Sequence, residues 1–272
     1  MLLYNHPLLS MTFAFALILS VLGFLAGSLG AVVGLGGGII IIPVLALYFH
    51  LPFPQAIGAS LVSVIATSTA TSSVHVEGHV TDMKLGMTLE LGTTMGAAIA
   101  AMLAHSVNRK ILGVLFIAFL LYSALSLMRR AWASRLEKNE SEIPVYTVRN
   151  YPIGMAASFV AGAFSGLLGV GGGPIKVPVM YLFMGVPLRV ATATSNFMIG
   201  VTAATSAYIY YGHGDIRLDV VVPLVIGVFS GSMLGARLAP HIRAAYVQFL
   251  LIGVMIFLAV QMALRIASGG LN

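Results

Sequence analysis

The chain has 272 residues, 59% of them hydrophobic and only 8% charged, with a mean hydropathy of +1.00; a soluble domain carries about 25% charged residues, so the composition is that of a polytopic membrane protein. The net charge of +6 does not indicate nucleic acid, because the bases stand singly or in pairs at segment ends with no stripe interleaved with aromatics, and anchoring of cytoplasmic loops accounts for them. There is no Cys, which excludes disulfides, thiolate metal sites and thiol catalysis.

Met1–His6 lacks a charged leader region and a small-residue cleavage site, so the first apolar stretch reads as a retained helix. It runs from about Leu9 to Val33, with Gly23, Ala26, Gly27 and Gly30 at spacings that let another helix approach closely. A glycine cluster, Gly34-Leu35-Gly36-Gly37-Gly38, then interrupts the apolar run. A short piece from Ile39 to Phe49 follows, about half a membrane long at ~1.5 Å per residue, and Pro52 and Pro54 turn the chain.

From Gln55 to Val74 the run is dense in hydroxyls, including Ser60, Ser63, Thr67, Ser68 and Thr71, which either bind helices together or face water. After a polar loop come an apolar span from Leu85 to Ala104 that contains Glu90, a basic corner at Arg109-Lys110, and another span to Met128. Arg129–Arg149 mixes bases with Glu137, Glu140 and Glu142 and reads as a cytoplasmic linker by the positive-inside rule.

The second half repeats the first. Gly169-Val170-Gly171-Gly172-Gly173 leads to Pro178 as Gly34–Gly38 leads to Pro43, and both the glycines and the prolines lie 135 positions apart, as do Ser60 and Ser195. Tyr151–Leu168 answers the first helix, Val177–Met184 the short piece, Gly185-Val186-Pro187 the turn, and Ala191–Asn196 the opening of the hydroxyl-rich run. Gly212–Leu218 answers Gly78–Leu85 with one residue fewer. The chain therefore divides into a first transmembrane repeat, 1–128, a cytoplasmic linker, 129–149, and a second repeat, 150–272. If each short piece counts as a crossing, each repeat has five and the halves are inverted; if not, each has four and they are parallel. Inverted halves are preferred because the glycine breaks resemble the discontinuous helices of inverted-repeat transporters.

Glycine weakens a helix and exposes backbone, which lipid tolerates only where it is buried in protein or lines a wet cavity. A helix that starts inside the membrane directs its N–H groups and the positive end of its dipole at whatever occupies the break, which suits an anion. Two such starts brought together would cradle a small oxyanion. Lys176, three residues after the second glycine run and matched by Ile41 in the first, is the one cation deep in an apolar segment. It faces a polar cavity or else snorkels to the headgroups.

Ser60, Thr192, Thr194, Ser195 and Asn196 are neutral donors suited to an anion that must be released again, or serve only helix packing. Glu90 is the lone carboxylate within an apolar span and a candidate proton carrier, unless it is interfacial. His75 and His79 have the i, i+4 spacing of metal ligands, but Gly78 argues for a loop and no metal site is expected. Neither glycine run fits a nucleotide fingerprint, and no catalytic constellation suggests an enzyme.

The doubled motif Gly-x-Gly-Gly-Gly…Pro, the Ala-x-x-x-Ser stretches at Ala56–Leu61 and Ala191–Asn196, and the chain length resemble the TauE/SafE sulfite exporter family of bacterial permeases, over nearly the whole chain. The resemblance implies a secondary carrier of the bacterial inner membrane for small anions such as sulfite, sulfoacetate or other organosulfonates. The expectation is thus an all-α polytopic permease of two homologous repeats with glycine-broken intramembrane helices. Its anion contacts would come from Gly36, Gly37, Gly38, Ser60, Gly171, Gly172, Gly173, Lys176, Ser195 and Asn196, with Glu90 carrying a proton. It needs no cofactor and no metal, its partners are the small anion and membrane lipid, and small-residue faces permit a homodimer without requiring it. A passive anion channel and a non-transporting membrane subunit are the rival readings.

Overall fold

The computed structural model describes residues 13–77, 80–136, 146–242 and 244–268. Among them the fold is all helical: α1 (Phe13–Val33), α2 (Gly38–Leu47), α3 (Phe53–Glu77), α4 (Met83–Ala104), α5 (Arg109–Leu136), α6 (Tyr151–Leu168), α7 (Gly173–Leu182), α8 (Leu188–Gly212), α9 (Leu218–Leu238) and α10 (Ala244–Ala267), with one 3-10 turn at Ala239–His241. Seven of these helices are long and apolar enough to cross a membrane by length and composition. The outward faces carry large apolar side chains such as Leu91, Met95, Met102, Tyr208, Ile226 and Leu264. Ser60, Ser63, Thr67, Ser68 and Thr71 of α3 and Thr194, Ser195, Thr202 and Ser206 of α8 lie in the interior, the reverse of a soluble bundle and the arrangement that lipid demands.

The repeat seen in the sequence reappears in the helix boundaries. α2 and α7, α3 and α8, and the starts of α4 and α9 are each 135 residues apart. The loop Gly212–Leu218 is therefore not shortened relative to its partner. Other boundaries differ from the sequence reading, two of them by a turn or more: α7 begins at Gly173 rather than Val177, because Pro174 sits in the first turn where its missing N–H costs nothing, and α5 runs past Met128 to Leu136, into the segment read as linker.

Each break turns the chain back on itself. Gly34, Gly36 and Gly37 have φ of 77°, 78° and 72°, and Gly169, Gly171 and Gly172 have 69°, 83° and 74°, left-handed values that L side chains seldom adopt. A β-carbon at Gly37 would sit 3.0 Å from the Ala26 carbonyl, and one at Gly172 2.8 Å from that of Ala161. α2 thus begins beside the last two turns of α1, and α7 begins in the same way beside α6. At the other end Phe49, just after α2, packs edge-on against Phe15 near the start of α1 with ring centroids 5.6 Å apart. Asn150 Nδ2, at the start of α6, donates to the Phe183 carbonyl after α7 at 2.9 Å. The short helices, each completed by its glycine loop, therefore run back along the full length of their neighbours.

Helix directions follow from where the ends meet. The start of α4 meets the start of α8, where the Asp82 N–H donates to Thr194 Oγ1 at 3.0 Å, and the ends of the same helices meet at His105 and Asp215, 2.5 Å apart. α4 and α8 are parallel. α3 runs against α8, since Ser68 Oγ donates to the Asn196 carbonyl at 2.5 Å while Gly58, ten residues earlier, lies against Asp215. α3 and α8, equivalent in sequence, are antiparallel at the centre of the molecule.

Two glycine seams flank that centre. In one, Gly227, Gly231 and Gly235 of α9 meet the backbone of Ser20, Phe24 and Ser28 on α1. In the other, Gly92 and Gly96 of α4 meet Met155 and Phe159 on α6, the same positions displaced by 135. A methyl group at Gly227 or Gly96 would overlap a carbonyl oxygen. Van der Waals contact between backbones is the main cohesion available to helices in lipid, and each seam joins the two halves.

Candidate functional site

The two breaks meet in the interior. A β-carbon at Gly38 would lie 2.5 Å from the Ser60 hydroxyl and 2.9 Å from the Gly169 carbonyl, and one at Gly173 2.8 Å from the Gly34 carbonyl and 3.6 Å from Ser195 Oγ. Gly36 and Gly171 both lie against Val64 of α3 and Ile199 of α8, themselves 135 positions apart. Each glycine loop is thus held by the serine and the branched side chain of a hydroxyl-rich helix, and only glycine leaves room for that approach. α2 and α7 start at this place with Gly37 and Gly172 as N-caps, neither of which supplies a side-chain cap. The juxtaposition expected from the sequence is present.

The hydroxyls divide into three kinds. Ser63, Thr67 and Thr71 of α3 and Thr192 and Ser206 of α8 donate to carbonyls four residues earlier on their own helices, which is how such side chains are satisfied in lipid. Ser60 Oγ spans the halves and donates to the Gly169 carbonyl at 2.7 Å, and Thr194 accepts from Asp82 at one end of the bundle. Ser195 Oγ and both amide atoms of Asn196 are buried without a hydrogen-bond partner. Asn196 is 1% exposed, and a β-carbon at Gly34 would lie 3.5 Å from its Oδ1 and 3.8 Å from its Nδ2. An uncompensated buried amide is costly, and this one lies beside the first break.

One turn into α7, Lys176 is 1% exposed. It neither snorkels nor opens onto water. Its Nζ lies 3.5 Å from Glu90 Oε2 of α4 and donates to Thr202 Oγ1 of α8 at 3.2 Å. Thr202 in turn donates to Glu90 Oε1 at 2.6 Å, and Thr94 donates to the same oxygen at 3.3 Å. Glu90 is 7% exposed, and its Oε2 has no hydrogen-bond partner. The sequence reading placed Lys176 and Glu90 in separate roles; the structure joins them in one ion pair between the halves, with Thr202 as the bridge. Thr202 was not singled out. Its signal was the seven-residue step from Ser195 along α8, which puts both on one helical face.

The pair has no copy in the first half, where Ile41 stands at the position of Lys176, nor in the second, where Val225 stands at that of Glu90. Asn196 likewise corresponds to Leu61. A symmetric scaffold therefore carries an asymmetric polar interior.

The side chains of His75 and Glu77, and residues 78 and 79, lie outside the described residues, and among the described residues no cluster of His, Asp or Glu has the composition of a metal site.

Residues 19–262 match the family model described as Sulfite exporter TauE/SafE. The chain is 31% identical over 262 residues, 90% of its length and 96% of the relative's, to the probable membrane transporter protein YunE of Bacillus subtilis. It is 25% identical over 222 residues, 81% of its length and 87% of the relative's, to the probable membrane transporter protein YdhB of the same organism. Sulfite exporter TauE/SafE family protein 6 of Arabidopsis thaliana is 33% identical over 105 residues, 37% of this chain and 24% of that one. No solved structure matches. An all-helical membrane protein whose glycine breaks and buried ion pair lie at its centre, matched by this model over most of its length, belongs to the TauE/SafE sulfite exporter family and is a multi-pass membrane transporter.

Proposed function

We propose that the chain is a secondary carrier of small anions, sulfite or an organosulfonate such as sulfoacetate, in the bacterial inner membrane. The observation that carries this reading is the buried cation Lys176, one turn from a break where two uncapped helices start and where Ser195 and Asn196 present polar atoms without partners. The positive ends of two helix dipoles, the Ser195 hydroxyl, the Asn196 amide and the Lys176 ammonium form a set suited to an oxyanion. The sulfur chemistry comes from the family description alone; the residues specify a small anion.

The antiparallel course of α3 and α8 supports halves inverted in the membrane, with the Arg129–Arg149 segment cytoplasmic. Rocking of one part of the bundle against the other around the central breaks would then expose the site to each side in turn.

Counterflow in proteoliposomes tests the reading. Vesicles are loaded with sulfite, sulfoacetate, sulfate or acetate, with taurine as zwitterionic control, and wild type is compared with Asn196→Leu. Saturable exchange of one sulfonate or sulfite, lost in the variant, supports both carrier and site. Exchange that survives the substitution moves the site away from Asn196. Flux rising linearly with anion concentration indicates a channel, and absence of any exchange in correctly inserted protein overturns the anion reading.

A further inference from the structure

Building on the carrier reading, we propose that each anion bound at Lys176 is accompanied by one proton, taken up by Glu90. One buried ammonium cannot balance both the Glu90 carboxylate and a second anion. Lys176 Nζ has two partners, Glu90 at 3.5 Å and Thr202 at 3.2 Å, in a site closed to water. An anion that takes the ammonium as its partner replaces the Glu90 carboxylate there.

The displaced carboxylate has no second cation to turn to. Among the described residues α6 has no Asp, Glu, Lys, Arg or His; Lys176 is the charged residue of α7; and α8 has Arg189, exposed in its first turn. On α4 itself the base is Lys84, exposed at the helix start and nearly two turns from Glu90. Glu90 would keep only the hydroxyls of Thr202 and Thr94. An ionised carboxylate held in an apolar interior by two hydroxyls takes a proton rather than remain charged.

The balance is simple. An empty site holding an ammonium and a carboxylate, plus an anion and a proton from the open side, becomes an ammonium paired with the anion beside a neutral carboxylic acid. A bond forms between the proton and a Glu90 oxygen, and no covalent bond breaks. With a monovalent anion the loaded site has the same net charge as the empty one, so crossing moves no charge; a divalent anion moves one negative charge. Because Ile41 and Val225 occupy the equivalent positions, there is one such exchange per chain.

The test uses the full chain in liposomes with methanesulfonate, which is fully ionised and brings no proton of its own, and sulfoacetate as probes; if the counterflow panel exchanges only another anion, that one is used. In wild type the dissociation constant is expected to rise about tenfold per pH unit while Glu90 is ionised in the free site, as one-proton linkage requires. One proton should enter per anion, and methanesulfonate uptake should not respond to a potential set by valinomycin. Glu90→Gln should bind with no pH dependence and move methanesulfonate in response to potential. Binding in wild type that is independent of pH, or anion uptake without protons, overturns the coupling and leaves the carrier intact. Absence of binding and exchange with every anion overturns both. Should Glu90→Gln fail to fold, the proton count in wild type decides alone.

Discussion

Lys176 and Glu90 come from opposite halves of the chain and meet out of contact with water, so each depends on the other. Breaking a buried pair by removing one partner costs about 3–5 kcal/mol, whereas replacing both with apolar residues of similar volume is often neutral. Lys176→Ala is therefore expected to lower thermal stability in detergent strongly, and Lys176→Met combined with Glu90→Leu to recover most of the loss. Both should abolish anion exchange. A double variant no more stable than the single one would mean that the pair is not what holds α4, α7 and α8 together. Asn196 poses the opposite case, since its amide is buried without a partner. Asn196→Leu introduces the residue already present at the equivalent position, Leu61. Melting temperature should be unchanged or higher, because an unsatisfied buried polar group costs about 1–3 kcal/mol, while exchange is lost. A clear drop in stability would show that the amide has a structural task.

At the scale of elements, the glycine breaks are constrained twice, by backbone and by space. Gly171 has φ of 83° and lies against Ile199, which a methyl group there would overlap. The left-handed conformation costs an L residue about 1–2 kcal/mol, and overpacking costs about 1–3 kcal/mol. Gly171→Ala should therefore destabilise by about 2–5 kcal/mol, measured by thermal unfolding, and in the background of Ile199→Ala, which removes the Cγ2 that the methyl would strike, only the overpacking part of that loss should disappear. Full recovery would mean that the backbone at Gly171 relaxes out of the left-handed region. The sequence showed these glycines as a duplicated cluster, and the cluster predicts a break because consecutive glycines weaken a helix and expose its backbone. It does not reveal that α7 starts at Gly173, four residues before Val177, which follows once Pro174 takes its place in the first turn.

For the whole molecule, the count of crossings decides how the halves are related, and the chain's lack of Cys makes it testable by labelling without background. Thr147 lies just before α6 and His213 just after α8, both exposed. Five passes per half put them on opposite sides of the membrane, and four put them on the same side. In intact cells or sealed right-side-out vesicles, an impermeant thiol reagent should modify His213→Cys and leave Thr147→Cys untouched unless the membrane is opened. Equal labelling of both would contradict the inverted arrangement.

Much of this protein could be read from its residues in order. Apolar length gives the spans, the repeat at 135 positions gives two equivalent halves, and the intramembrane lysine, glutamate, asparagine and glycines stand out because each is costly in lipid without a reason. These are local properties, set by a residue type and its neighbours along the chain. The tertiary structure decided what each costly group meets. Composition cannot say whether Lys176 faces water or a carboxylate, because Glu90 lies on another helix in the other half; nor can Lys and Arg counts settle the direction of α2 and α7, which depends on where Phe49 and Phe183 come to rest. Contacts between residues far apart in sequence follow from how helices pack, and in this molecule the site consists of such contacts.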